Sequence, residues 1–304
     1  MDLEALVAAE LAEPVDRRVA AMAEAIAVQY PAAARAVLFY GSCLREANLD
    51  GLMLDFYLIV SDYADAFGKG WFAFANRLLP PNVFPFEHDG LVAKYAVLSE
   101  ADFARLASSA TRNVSVWARF AQPSRLVWAA DAAAREASIV ATSLAAPALL
   151  AAARPMIADR ITIDRLWGEA FALTYGAELR AERKGRAGSV VDADPDRYRR
   201  FTLPALAAAA IDAAIEGTRS SSPARSPPPN AARERLWARR RREGKALTLA
   251  RLAKATTTYA GGIDYLAWKI NRHAGAAIEI KPWQRRWPIL GAIALLPACW
   301  RRAR

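Results

Sequence analysis

The chain has 304 residues, with 41 lysines and arginines against 31 aspartates and glutamates, and 54% of its residues are hydrophobic. A chain this long and apolar buries a real core, which excludes wholesale disorder, collagen and coiled coil; its length suggests two domains, or one core with a helical extension. Cys43 and Cys299 are the only cysteines and His88 and His273 the only histidines, so a disulfide scaffold and a Cys- or His-rich zinc site are excluded for this chain alone, and any catalytic metal has to be held by oxygens.

The first 30 residues are rich in alanine and leucine, with polar residues at helical spacing and an interruption at Pro14, which predicts two short helices. The opening Met1-Asp-Leu-Glu lacks the basic region and cleavage site of a secretory signal, so a cytoplasmic protein is expected. Residues 36–40 (AVLFY), ended by Gly41-Ser42, and residues 52–60 (LMLDFYLIV) have the composition of buried strands, with a short helix between them opening at Ser42. Helical spacing returns over 64–79 and stops at Pro80-Pro81. Residues 82–87 and 91–98 predict a hairpin around His88-Asp89-Gly90, with His88 a turn residue. From Asp131 the signals are almost all helical, in Ala-rich stretches at 131–153, 162–183 and 203–215, and residues 217–230 (GTRSSSPARSPPPN) have the composition of a flexible linker. The expected class is α+β: a small mixed-sheet domain over 1–130, a helical domain over 131–216, a linker over 217–230 and a basic helical tail over 231–304.

Charge is unevenly spread. Residues 231–304 hold 17 lysines and arginines and four acids, a net of +13, which leaves −3 for the rest. Such a tail calls for an anionic partner, nucleic acid or an anionic membrane surface. Residues 288–300 (PILGAIALLPACW) are uncharged but shorter than the ~20 residues that span a bilayer. Lys281, Arg285 and Arg286 precede them, Arg301, Arg302 and Arg304 follow, and Trp283, Trp287 and Trp300 stand at the boundaries. That pattern reads as an interfacial anchor, with a helix docked on the core as the alternative. The uncharged run 137–153 reads as a buried helix.

The chemistry is concentrated at Gly41-Ser42 and Asp55. A strand that ends in Gly-Ser and opens a helix offers backbone N–H groups and a hydroxyl to a triphosphate, and a carboxylate on the adjoining strand can hold a divalent cation bridging those phosphates. The pattern is similar to the nucleotidyltransferase superfamily of DNA polymerase beta, in which Gly-Ser is followed by two acids, one residue apart, on the next strand. Here Tyr57 stands where the second acid is expected, so Asp50 or an acid elsewhere would have to complete a two-metal site.

A wider set of segments carries a closer resemblance. Phe39 to Val60, Leu91-Val-Ala-Lys94-Tyr95, Trp117-Ala-Arg-Phe-Ala-Gln-Pro123, Glu169 to Arg180, and Gly244-Lys245 through Lys254 to Tyr259 occur in the order and approximate spacing of the mitochondrial-translocator-maintenance family of phosphatidate cytidylyltransferases, which the chain resembles over most of its length after residue 35. The resemblance implies Mg2+-dependent transfer of CMP from CTP to phosphatidate by a peripheral enzyme at the inner face of the membrane, with no nucleic acid partner. The single acid on the second strand is then a family feature. Gly41 and Ser42 would hold the CTP phosphates, Asp55 would bind Mg2+, and Lys94 would neutralise phosphate charge with Tyr95 packing nearby. Glu178 and Arg180 correspond to the family's Ser-Gly-Asp-Phe-Arg motif, Glu178 as second metal ligand or base and Arg180 at the nucleotide. An extra residue after Gly176 and a Glu in place of Asp depart from that motif. Lys245, Arg251 and Lys254 would face phosphatidate, and Arg239 to Arg242 would track lipid headgroups.

Each assignment has a plainer counterpart. Lys94 can snorkel to solvent, Ser42 can serve as an N-cap, Glu178, Arg180 and Glu182 sit at helical spacing as a solvated face would, and the arginine run can be the wet side of a long helix. Cys43 is expected to be a small buried residue. The rival functions are a nucleotidyltransferase acting on RNA or a small molecule, and a non-catalytic basic protein that binds nucleic acid or a partner.

Overall fold

Period-two alternation along the strands fixes which residues meet which layer. The computed structural model describes residues 2–45, 49–157, 160–178, 190–211, 214–215, 231–258 and 279–286. Helices α1 (Leu3–Leu11) and α2 (Arg17–Val28) open the chain, each started by an aspartate: Asp2 accepts from the Ala5 N–H and Asp16 from the Arg18 N–H, both at 2.8 Å. The break between them falls at Pro14, as its missing donor requires. Strands β1 (Ala34–Tyr40) and β2 (Met53–Val60) follow, and after β1 the described residues form a 3-10 turn, Ser42–Arg45. The helical stretch expected at 64–79 is instead two short helices, α3 (Tyr63–Phe67) and α4 (Trp71–Leu78), because the chain turns at Gly68 with φ +68°.

Strands β3 (Asn82–His88) and β4 (Leu91–Ser99) form the expected hairpin. Asp89 and Gly90 have φ values of 46° and 74°, the doubly left-handed turn that matches the twist of paired strands. After α5 (Glu100–Ala107) and the one-turn α6 (Trp117–Phe120), a strand not expected from the sequence, β5 (Ser124–Ala129), pairs with β1. The sheet order is β3-β4-β2-β1-β5; β2 and β4 are parallel and the other pairs antiparallel, so the sheet is mixed.

Both faces of this sheet are covered, which is why its central strands read as nearly continuous apolar runs. One face (Val37, Phe39, Leu54, Phe56, Leu58, Tyr95, Val97) packs on residues of α2 and on Tyr63 and Ala73. The other (Ala36, Leu38, Tyr57, Ile59, Leu98) shares one continuous core with α1, α5 and the helices beyond residue 130. These are α7 (Ala132–Ser143), α8 (Ala145–Ala153), α9 (Ile163–Ala177) and α10 (Pro195–Ala208), with a short parallel pair β6 (Arg160–Ile161) and β7 (Ala214–Ile215). The Ala-rich stretch of residues 203–215 is therefore the end of α10 plus a strand rather than a helix throughout. The run Ala132–Met156 is long and apolar enough to cross a membrane, yet 56% of its most apolar window is buried inside the protein, as a core helix would be.

A buried ion pair ties the amino-terminal helix to this layer. Arg197 on α10 donates to both carboxylate oxygens of Glu10 on α1 and, at 3.0 Å, to the Ala121 carbonyl, with its guanidinium 4.3 Å from the Phe201 ring centroid. Basic helix α11 (Ala231–Thr258) docks along one side at seven-residue steps. Trp237 is buried and donates to the Ala152 carbonyl at 3.2 Å, Gly244 lies against α9, and Arg251 reaches the Pro80 carbonyl at 2.9 Å. A short helix, α12 (Pro282–Arg286), is the last described element.

Candidate functional site

The end of β1 and the start of β2 meet in antiparallel register with Tyr40 opposite Asp55, and β2 lies parallel to β4 with Asp55 beside Lys94. Asp55 and Lys94 thus emerge side by side on one face, and the Lys94 ammonium contacts Asp55 Oδ1 at 2.8 Å. Both side chains keep a partial opening to solvent, 34% for Lys94 and 23% for Asp55. Lys94 is therefore an ion-pair partner of the carboxylate at the head of the sheet, not a lysine merely escaping to water.

Gly41 completes the corner. Its φ of +98° suits glycine, and a Cβ there would lie 3.3 Å from Asp55 Oδ2. The glycine keeps the second oxygen of Asp55 uncovered on the side where the turn passes. Ser42 opens the 3-10 turn next to it, and Cys43 is buried with its thiol directed at the Met53 carbonyl. Asp50, the acid considered as a second metal ligand, is drawn instead to Arg18 on α2 at 2.9 Å. Among the described residues no three of His, Cys, Asp or Glu cluster around a common point.

Tyr95 does not join this corner. As the strand neighbour of Lys94 it points to the opposite face, where it is buried and hydrogen-bonded through its hydroxyl to Tyr30 at 3.0 Å. Burial raises its pKa well above that of a free phenol.

Tyr57, in the place of a second acid, is buried two residues along from Asp55 on the same face, its ring 5.2 Å from Tyr40 and 5.2 Å from Phe120. Around this aromatic group lies a charged network that joins three distant parts of the chain. Glu178, just past α9, accepts from the Ser115 hydroxyl and from Arg119 Nη1, the latter at 3.3 Å. Arg119 Nη1 also donates to the Ser115 carbonyl. Arg251 Nη1 donates to Ser115 Oγ at 2.9 Å. Burial works against the charge on Arg119, but Glu178, Tyr57 and Tyr40 together hold the guanidinium pKa above its ordinary value. Arg251 is shifted the other way, by burial and by the like charge of Arg119. Burial raises the pKa of Tyr57, with Glu178 and Asp55 acting in the same direction and the charges of Arg119 and Arg251 opposing it.

Lys254 lies one turn beyond Arg251 and turns to the Pro80-Pro81 segment. Its ammonium donates to the Leu79 and Pro81 carbonyls, the second at 2.9 Å, while Arg251 Nε takes the Pro80 carbonyl between them. Two consecutive prolines leave this turn without N–H groups to serve its carbonyls, and α11 supplies the donors. Burial, with help from Arg251, pushes Lys254 down to about 7. Lys245 is exposed on α11 directly after the Gly244 crossing, and Arg239, Arg241 and Arg242 are exposed as well. Arg240 folds over Trp237 with its guanidinium 4.9 Å from the ring. Arg180, Glu182 and the anchor residues beyond Arg286 lie outside the described residues, as does His273.

The structure therefore assembles Gly41, Ser42, Asp55 and Lys94 at one corner and places Glu178 and Arg251 in a second cluster beside it, separated by the Tyr40–Tyr57 pair. It leaves Tyr95, Lys245 and Lys254 elsewhere. Ser115 and Arg119, which hold the second cluster together, were not singled out from the sequence; Arg119 stood within the Trp117–Pro123 segment without a role. No family model and no curated protein matches this chain. The functional reading accordingly rests on the corner itself and on the sequence resemblance.

Proposed function

We propose that the protein transfers CMP from CTP to phosphatidate, giving CDP-diacylglycerol and pyrophosphate. The observation that carries this reading is the corner of Gly41, Asp55 and Lys94: a strand-borne carboxylate, a lysine clamped to one of its oxygens, and a glycine that leaves the other clear. It is supported by the resemblance of five segments to phosphatidate cytidylyltransferases.

A single carboxylate suits Mg2+, which is commonly bound by one or two protein carboxylates with water and substrate phosphates completing its shell. Asp55, through the oxygen turned towards Gly41, is the residue that would hold it; when bound, the ion would neutralise charge on the triphosphate. The chain's own residues do the rest. Lys94 places a fixed positive charge beside the carboxylate, and Gly41 and Ser42 border the space a triphosphate would enter. The phosphatidate phosphate is already an anion at neutral pH, so it needs no strong base. One of its oxygens forms the new bond to the α-phosphorus of CTP, the α–β bridging bond breaks, and pyrophosphate leaves. Positioning and charge compensation govern such a transfer.

A lipid substrate implies a lipid surface, and we place the enzyme peripherally on the inner, anionic face of the membrane. The described end of the tail supports this: Trp283 is 45% exposed, with Lys281 and Arg285 exposed beside it. The test is pyrophosphate release from CTP and Mg2+ supplied in turn with phosphatidate vesicles, neutral vesicles and an RNA oligonucleotide. Release with phosphatidate alone is expected; release with RNA and none with phosphatidate would transfer the reading to an RNA nucleotidyltransferase.

A further inference from the structure

The second cluster has a use that the corner does not explain. Two guanidiniums, Arg119 and Arg251, converge on Ser115 from different elements, and both lie within electrostatic reach of Tyr57. One carboxylate, Glu178, is shared between them. Each guanidinium is held by bonds to protein oxygens that leave other N–H groups over. Arg119 uses Nη1 on the Ser115 carbonyl and Glu178; among the described residues nothing takes Nε and Nη2, the two-pronged edge that fits an oxyanion. Arg251 uses Nε and Nη1, and among the described residues nothing takes Nη2. The Arg119 side chain is 27% exposed, so the cluster is reachable from outside. Fixed, partly desolvated arginines in net excess over their carboxylate are built for an anion, because they lose little rotamer freedom when one binds.

We propose that Arg119 and Arg251 bind a phosphate monoester dianion, and that Glu178 and Ser115 are positioning residues that fix Arg119 rather than metal ligands or a base. On the transfer reading above, on which this assignment of the anion rests, the monoester is the headgroup of phosphatidate. The placement suits it. Tyr57 stands two residues from Asp55 on one strand face, a step of about 7 Å, so an anion at the arginines lies one side chain away from the corner that would hold the nucleotide. The chemistry shared by a lipid phosphate and a free one is a dianionic monoester, and the probes separate the two sources.

The test titrates the full chain with soluble dioctanoyl phosphatidate, with glycerol 3-phosphate, and with CTP plus Mg2+, and repeats each with Arg119→Gln and Arg251→Gln. Either variant is expected to weaken dioctanoyl phosphatidate at least about tenfold while CTP stays within about twofold, and an unchanged urea midpoint and circular dichroism spectrum in each variant exclude a folding defect. Weakening of glycerol 3-phosphate in parallel assigns the contact to the phosphate and not to the acyl chains. In turnover, Arg119→Gln raises the KM for phosphatidate and leaves that for CTP unchanged. Glu178→Gln does the same without altering the Mg2+ concentration needed for half-maximal rate, which a lost metal ligand would raise. Variants that bind dioctanoyl phosphatidate like the parent, or that lose CTP and phosphatidate equally, overturn the assignment. Arg119-dependent monoester binding in a protein that transfers no CMP would uphold the site and refute the transfer reading; CMP transfer indifferent to both arginines would do the reverse.

Discussion

Replacing Gly244 by alanine tests whether α11 is seated as described, and the sign of the effect decides it. Alanine is the better helix former by about 1 kcal/mol, so on an open helix the substitution stabilises. At Gly244, however, a Cβ would lie 2.1 Å from the carbonyl oxygen of Ala177 and 3.2 Å from its carbon. Ordinary contact begins near 3.4 Å, so α11 and the end of α9 have to part by roughly 1.3 Å. The obstacle is backbone and cannot rotate away, which places the cost towards the upper end of the about 1–3 kcal/mol typical of overpacking. The net expectation is a loss of about 2 kcal/mol. Gly168, within α9, is the matched control: a Cβ there meets nothing within 4 Å, so Gly168→Ala should gain roughly 0.5–1 kcal/mol. Urea denaturation of the three proteins, followed by circular dichroism, measures both. A Gly244→Ala protein as stable as Gly168→Ala would refute the crossing and, with it, the route by which α11 brings Arg251 to Ser115.

Further expectations concern the buried charges. Glu10→Ala strands Arg197 in the core and should cost about 3–5 kcal/mol, whereas the pair Glu10→Leu with Arg197→Met should recover most of that loss; equal losses in both proteins by urea denaturation would sink the argument. Lys254 has its pKa lowered to about 7 from an ordinary 10.5. Between those values the unfolded chain binds the extra proton, so unfolding free energy contributed by this residue rises with pH over that window and is flat below about 7. The rise should amount to roughly 2–4 kcal/mol, the two carbonyl acceptors limiting it, and Lys254→Met should abolish it when midpoints are compared at pH 6, 8 and 9.5. An unchanged pH profile in Lys254→Met would show the ammonium to be solvated.

Much of the sheet is legible in the sequence because its signals are local. Asp89-Gly90 between two alternating runs specifies the hairpin, and Pro14 separates α1 from α2. The break of the 64–79 stretch was legible too, since Gly68-Lys69-Gly70 carries the turn chemistry that divides α3 from α4. β5 was harder: its first residue follows Pro123 and its alternation is diluted by half-exposed Arg125, Val127 and Trp128. At the site, Gly41 and Asp55 are legible as a strand-turn pattern, but the Asp55–Lys94 contact depends on parallel register between strands well apart in sequence. Tyr95 was misplaced against a rule the sequence already held, since adjacent residues of a strand cannot share a face. The union of Ser115, Arg119, Glu178 and Arg251 has no local signal at all; it exists only because α6, the end of α9 and α11 share one core, and closeness in space across such sequence distances is a product of packing.

On the proposed function, Asp55 serves CMP transfer to a lipid. The most direct test incubates the intact chain and Asp55→Ala with Mg2+, phosphatidate vesicles and CTP labelled either at the α- or at the γ-phosphate, then extracts with chloroform. The expected result is α-label in the lipid phase with intact protein only, no γ-label there, and no lipid label with Asp55→Ala although that variant still sediments with the vesicles. Label in lipid undiminished in Asp55→Ala, or no α-label in lipid with intact protein bound to the vesicles, would contradict it.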